Sequence, residues 1–156
     1  MHSFAGIGLG KKPAAVLAAE VRRSRNSRER WKQARVLVLD EVSMVSGDLL
    51  DKVEYVARQV RGIPKPFGGV QIVLCGDFFQ LPPVDKRSKF CFDAQCWRTA
   101  IHKSFRLSKV YRQRDQTFID FLNAVRLGRV PPNARKLLGT LVVAVAVPLA
   151  DQTDVL

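Results

Sequence analysis

The spacing of apolar and polar positions changes period several times along the chain of 156 residues, and each period predicts an element. Residues His2 to Gly10 are Gly-spaced and contain a turn-like Ser-Phe-Ala-Gly segment, Ser3 to Gly6. Pro13 to Arg25 reads as a helix, with Pro near its start and Val16, Leu17, Ala19 and Val21 available for burial. Arg35 to Leu39 is a short, nearly all-apolar run ending in Asp40 and Glu41, the pattern of a strand buried on both faces of a parallel sheet. Ser46 to Arg61 carries Leu49, Leu50, Val53, Val56, Ala57 and Val60 at helical spacing. A Pro/Gly loop, Gly62 to Gly69, leads into a second buried strand, Val70 to Cys75, which ends in Gly76 and Asp77.

Leu81 to Val84, with its two prolines, predicts an extended turn, and Lys103 to Leu107 a third strand. Thr117 to Leu127 predicts a helix with Phe118, Phe121, Leu122 and Val125 on one face, stopped by Gly128. Asn133 to Leu141 reads as a last helix capped by Asn133. Residues Val142 to Leu156 have no period and are expected outside the fold. Trp97 and Tyr111 are expected in the core and His102 at the surface. Strands separated by helices, with polar residues at the strand ends, give an α/β domain with a mostly parallel sheet.

Charge adds a partner to this picture. Lys and Arg outnumber Asp and Glu by 26 to 14, a net charge of +12, which favours a polyanion such as nucleic acid or an acidic membrane surface. From Lys11 to Arg35 nine basic residues face only Glu20 and Glu29, so nine minus two leaves +7 in that stretch. It reads either as a soluble helix with its exit loop or as a phosphate-contacting face. No apolar stretch reaches the roughly 20 residues of a membrane span. Cys75, Cys91 and Cys96 form no metal-binding pattern, Cys75 is expected to be buried, and a reduced intracellular compartment fits the three.

The candidate chemistry lies at the strand ends. Asp40 and Glu41 close one apolar strand and Asp77 closes the other, at the edge where open α/β sheets bind ligands. An apolar strand ending in Asp-Glu suits a nucleotide hydrolase, in which one carboxylate holds Mg²⁺ and its neighbour orients the attacking water. Any strand can also end in acids with no catalytic purpose.

Four blocks narrow the choice. His-Ser-Phe-Ala-Gly-Ile-Gly runs from His2 to Gly8, and Val-Leu-Val-Leu-Asp-Glu-Val-Ser-Met from Val36 to Met44. Gly-Asp-Phe-Phe-Gln-Leu-Pro-Pro-Val runs from Gly76 to Val84, and Leu-Ser-Lys-Val-Tyr-Arg-Gln from Leu107 to Gln113, followed by Arg126-Leu127-Gly128. In this order and spacing they resemble the Pif1 family of superfamily 1 DNA helicases over about residues 2 to 130. The resemblance implies a partial RecA-like P-loop NTPase domain over 1–141, an unpatterned tail over 142–156, and ATP-dependent 5′-to-3′ DNA unwinding.

The resemblance also implies roles. Asp40 and Glu41 match the Walker B pair, Mg²⁺ binder and catalytic carboxylate, and Asp77 joins them at the nucleotide. Gln80 matches the motif III glutamine that senses the γ-phosphate, and Arg112 the motif IV arginine finger. His2, Ser3, Phe4 and Gly6 match a segment lining the single-strand path, with Phe4 as a stacking face. Phe79, Pro82 and Pro83 lie beside that path in such helicases, and Phe78 and Phe79 read equally well as core or as DNA contacts. The implied ligands are ATP, Mg²⁺ and single-stranded, forked or structured DNA. The implied settings are DNA repair, recombination and telomere maintenance, in the nucleus or the mitochondrion.

No Gly-x-x-x-x-Gly-Lys-Ser/Thr phosphate loop occurs in the sequence. It is expected upstream of His2, and without its strand Val36 to Leu39 should have an unpaired apolar edge. Two other functions stay open at this point. One is a non-catalytic remnant that binds single-stranded nucleic acid. The other is a metal-dependent nuclease built from Asp40, Glu41 and Asp77.

Overall fold

The computed structural model describes residues 2–85, 87–132, 134–136, 138 and 139. Contacts divide the chain between Arg106 and Leu107 into two compact units. The first unit is built on a βαβ motif. Strand β1 (Val36–Leu39) pairs in parallel with β2 (Gln71–Leu74), with Val36 beside Gln71 and Leu39 beside Leu74, and helix α4 (Gly47–Arg61) connects them. Three helices precede it: α1 (His2–Ala5), α2 (Ala14–Arg23) and α3 (Arg25–Gln33). Among the described residues no helix is long and apolar enough to cross a membrane.

Helix α4 is the centre of the core. Its predicted apolar stripe is buried at Leu50, Val53, Val56, Ala57 and Val60, and each fully buried aliphatic side chain contributes roughly 1.5–3 kcal/mol. Ser46 caps it as the N-cap residue, its Oγ accepting the Leu49 N–H at 3.2 Å. The one acid on the buried face, Glu54, is met by the Arg58 guanidinium at 2.9 and 3.3 Å. The last residue, Arg61, reaches further. Its Nε donates to the Gly68 carbonyl at 2.7 Å, just before β2. Its Nη1 donates to the carbonyls of Trp31, Lys32 (3.1 Å) and Ala34 (3.0 Å), at the end of α3 and just before β1.

Several expectations need correction. The His2–Gly6 block is a short helix rather than a turn, and Pro13–Arg25 splits at Ser24, whose side chain caps the separate helix α3. Only Leu17, Ala18 and Val21 of α2 are buried, while Val16 and Ala19 face solvent. Strand β1 is buried on one face only: Leu37 and Leu39 point inward, whereas Val36 and Val38 are 50% and 58% exposed. Among the described residues nothing covers that second face, and Cys75, expected inside, is exposed for the same reason. Among the described residues the sheet has two strands, and the far edge of β1 has no partner strand there.

Lys103 to Leu107 forms no strand: among the described residues no strand pairs with it, and Phe105 and Leu107 are exposed. Trp97, in α5 (Trp97–Ala100), packs against the core, and His102 is exposed.

The second unit contains α6 (Gln116–Arg126), whose N-cap Asp115 accepts the Phe118 N–H at 3.1 Å. Phe118 and Phe121 stack at 6.3 Å and are half-buried, but Leu122 and Val125 are exposed, so the predicted apolar face is not buried. Tyr111 is not core: it is 79% exposed, with the Lys109 ammonium 4.8 Å above its ring. Asn133, the expected cap of the last helix, and residues 140–156, including the expected 141/142 boundary, lie outside the described residues.

Replacing Arg61 with Met leaves carbonyls at both strand entrances without their charged donor. The expected loss is about 2–3 kcal/mol, read from urea unfolding. Arg61→Lys should recover only part of it, because an ammonium lacks the planar fork. Equal stability of Arg61→Met and the parent would remove the guanidinium from this role. The thiols give a second test. Cys91 and Cys96 are buried, and burial pushes both up, Cys91 from 9.0 to about 11. Only Cys75 should react with a thiol reagent at mildly alkaline pH until the chain is unfolded. The folded state keeps the Cys91 proton that the unfolded chain loses, so stability should fall as pH rises from 9.0 towards about 11.

Candidate functional site

Both strands end at the same edge of the sheet, and the backbone there stays paired beyond them. The Cys75 N–H donates to the Leu39 carbonyl at 2.8 Å, and the Val42 N–H donates to the Cys75 carbonyl at 2.9 Å. Asp40 and Glu41 therefore leave β1 alongside Cys75 and Gly76. Asp40 Oδ1 accepts the Glu41 N–H at 2.9 Å. Glu41 itself is left-handed, φ 51° and ψ 44°, a conformation that costs a non-glycine residue about 1–2 kcal/mol. It turns the chain into the single 3₁₀ turn Val42–Met44, where the Val45 N–H closes on the Val42 carbonyl at 3.0 Å.

Gly76 permits this crossing. A Cβ there would stand 2.9 Å from the Val42 nitrogen and 3.0 Å from its Cγ1, closer than real side chains come. The small residue lets the Asp-Glu turn of one strand lie against the Gly-Asp turn of the other.

The next four residues form a self-bonded turn. Asp77 Oδ1 accepts the Phe79 N–H at 3.1 Å, the Asp77 carbonyl accepts the Gln80 N–H at 3.0 Å, and Asp77 Oδ2 accepts from Gln80 Nε2 at 3.3 Å. The two phenylalanines then part. Phe78 meets Phe92 at 4.9 Å and Phe90 at 6.1 Å, edge to face, while Phe90 and Phe92 stack at 5.1 Å. Phe90 also bridges to Ser46, the cap of α4, which ties the cluster to that helix. Phe79 is 61% exposed, with Pro82 exposed and Pro83 buried beyond it. The sequence motifs passed over Phe90 and Phe92, whose alternate spacing across Cys91 was a usable signal of two rings on one side of the chain.

The N-terminal block is held by α3. Arg30 Nη2 donates to the Ser3 carbonyl at 3.0 Å and Trp31 Nε1 to the Ala5 carbonyl at 3.1 Å. Phe4 packs edge to face on Trp31 at 5.2 Å, so half of its ring is committed to packing, and Ser3 is exposed. Gly6, at φ 69°, lies where a Cβ would collide with Ser27 Oγ at 2.5 Å. The His2 side chain lies outside the described residues.

The structure thus brings Asp40, Glu41, Asp77 and Gln80 to one sheet edge, and Arg112 is an exposed residue of the second unit. Among the described residues no three His, Cys, Asp or Glu side chains are grouped to hold a metal ion, so nothing supports a nuclease built on a cage of Asp40, Glu41 and Asp77.

The sequence profile described as PIF1-like helicase matches residues 1–136. ATP-dependent DNA helicase PIF1 of Emericella nidulans is 51% identical over 136 residues, which cover 85% of this chain and 18% of that protein. The chain thus spans about a fifth of the length of such curated relatives. The crystal structure of Pif1 helicase from Candida albicans superposes with a TM-score of 0.83 at 43% identity, over 87% of this chain and 32% of that one. Bacteroides Pif1 in complex with ADP-AlF3 and ssDNA superposes with a TM-score of 0.69 at 34% identity, over 76% and 30%.

The crossing at Gly76 has a measurable cost of violation. Gly76→Ala should lower unfolding stability by about 1–3 kcal/mol, as for overpacking elsewhere, because the nearest atom is backbone and cannot swing aside. A neutral Gly76→Ala in chemical denaturation would mean that the two turns are not in contact.

Proposed function

The chain belongs to the PIF1-like helicase family, and on that premise we propose that it forms the nucleotide-reading edge of an ATP-driven motor that unwinds DNA in the 5′-to-3′ direction. The observation that carries the proposal is the junction at Gly76, where the Asp40-Glu41 turn and the Asp77-Gln80 turn lie against each other at the carboxyl ends of parallel strands. Ligands of open α/β sheets bind at such an edge.

Asp40 presents an exposed carboxylate with one oxygen on the Glu41 N–H. A single hard carboxylate open to water fits Mg²⁺, which takes one or two carboxylates and fills its shell with water and phosphate oxygens. Held there, such an ion would supply positive charge against that of the transferring phosphates. Glu41 orients the attacking water and takes its proton, and its left-handed backbone fixes where the carboxylate emerges from the strand. Gln80 reads the γ-phosphate. Because Asp77 bonds both the Gln80 side chain and the Phe79 N–H, a displacement of Gln80 carries Phe79 with it.

In this reading His2, Ser3, Phe4, Gly6, Phe79 and Pro82 line the path of the strand, with Phe79 offering an exposed aromatic face, whereas Pro83, also implied there by the resemblance, is buried and offers the strand no surface. Arg112 supplies the arginine finger. The Bacteroides relative was solved with ADP-AlF3 and single-stranded DNA, and both ligand types are carried over to this chain. Forked or structured DNA as the natural substrate, a nuclear setting with or without a mitochondrial one, and roles in repair, recombination and telomere maintenance belong to the same proposal.

The 156 residues hold no Gly-x-x-x-x-Gly-Lys-Ser/Thr, so the phosphate cradle is not among them. The net charge of +12 favours one second reading, a non-catalytic protein that binds single strands through its basic surface. The size of the native protein, by immunoblot against Gly76 to Val84, separates the two. A band well above 17.5 kDa supports the motor, and a sole band at 17.5 kDa supports the remnant. In the native protein Asp40→Asn and Glu41→Gln should each cut DNA-stimulated ATP hydrolysis at least about 100-fold while single-strand binding persists. Hydrolysis that survives both changes would remove these carboxylates from the reaction.

A further inference from the structure

The proposed motor makes no use of the densest charge in the chain. Between Arg22 and Arg35 there are seven basic residues and one acid, so seven minus one leaves +6 in 14 residues. Helix α3 sorts part of that charge onto one side. Ser27 and Trp31 face the core. Arg30, on one flank, is spent on the Ser3 carbonyl at 3.0 Å and Ser27 Oγ at 3.1 Å, where it holds α1. Arg25, Arg28 and Lys32, spaced three and four residues apart, fall in a row along the opposite flank.

This row is largely uncommitted. Arg25 and Lys32 are exposed and, among the described residues, form no ion pair. Arg28 donates to the Arg22 carbonyl at 3.1 Å and stands 3.6 Å from Glu29, so its charge is partly met. No aromatic residue shares the flank, since the one ring of α3, Trp31, is buried. Proteins that grip single strands combine charge with stacking rings, whereas a ring-free row of cations suits a backbone whose bases are already paired. From Arg25 to Lys32 the helix rises about 10 Å, over which one strand of a duplex presents about three phosphates.

We infer that Arg25, Arg28 and Lys32 form a docking rail for the phosphate backbone of duplex DNA, on the face of α3 opposite the α1 segment. The duplex arm of a fork then lies about one helix width, roughly 10 Å, from the single strand. This placement rests on the assignment of His2, Ser3, Phe4 and Gly6 to the single-strand path.

The test is Arg25→Gln/Lys32→Gln in the native protein, two exposed side chains that form no ion pair among the described residues, with the fold of the variant checked by its unfolding midpoint. Binding to a forked DNA and to a single strand of equal length is measured by fluorescence anisotropy across a salt series. The expected result is a fork affinity about tenfold weaker at moderate salt, a log-log salt slope shallower by about 2, and an unchanged affinity for the single strand. An unchanged slope on the fork would overturn the rail, and so would an equal loss on both DNAs, which would assign the row to the strand path or to a diffuse field. If the parent protein binds no single strand, the assignment of α1 fails. A fork-specific loss of slope in the variant would then still support the rail.

Discussion

A single guanidinium sets the geometry on which the first unit depends. Arg61 stands at the last turn of α4 and donates to carbonyls that immediately precede β1 and to one that precedes β2. Both strands are therefore entered from points fixed against the same side chain, and their register follows. Hydrogen bonds from a charged donor to backbone carbonyls are among the stronger ones available to a partly buried site. At the far edge alignment is kept by the continued ladder through Cys75 and by the absence of a side chain at Gly76. One end is fixed by attraction and the other by the room that glycine leaves.

That division explains which parts of the fold were legible in the sequence. Helix α4 was readable because its stripe from Leu50 to Val60 faces one core and its cap, Ser46, is local. The two strands were readable from short apolar runs that end in acids. Their burial was not, because a buried strand needs layers on both faces, and here only Leu37 and Leu39 of β1 have one. The Lys103 to Leu107 run has strand-like composition, but composition cannot provide a neighbour. Helix α3 was hidden by its own charge: in Arg-Asn-Ser-Arg-Glu-Arg-Trp-Lys-Gln one buried ring and one serine make up the whole inward face.

The candidate site was legible to a different degree. Asp40, Glu41, Asp77 and Gln80 were singled out by motif, and the fold gathers them at one edge. What the motif could not separate were Phe78 and Phe79. Two adjacent identical residues diverge: Phe78, 37% exposed, sets its ring against Phe90 and Phe92, more than ten residues away, whereas Phe79 is 61% exposed. Arg30 and Trp31 were equally out of reach, since their link to the His2 to Gly6 block spans more than 20 residues.

The pairing of β1 with β2 also bears on how the chain acquires its shape. Val36 meets Gln71 across a separation of 35 residues, with a single well-capped helix between them. That is a short circuit for a parallel pair, so closing it carries a modest entropic cost, and α4 can form before the strands meet. The βαβ motif is therefore suited to serve as the folding nucleus of the first unit. Its closing point is the sheet edge that carries Asp40 and Asp77. The edge that would handle nucleotide in the finished protein is thus also the place where its shortest parallel circuit closes.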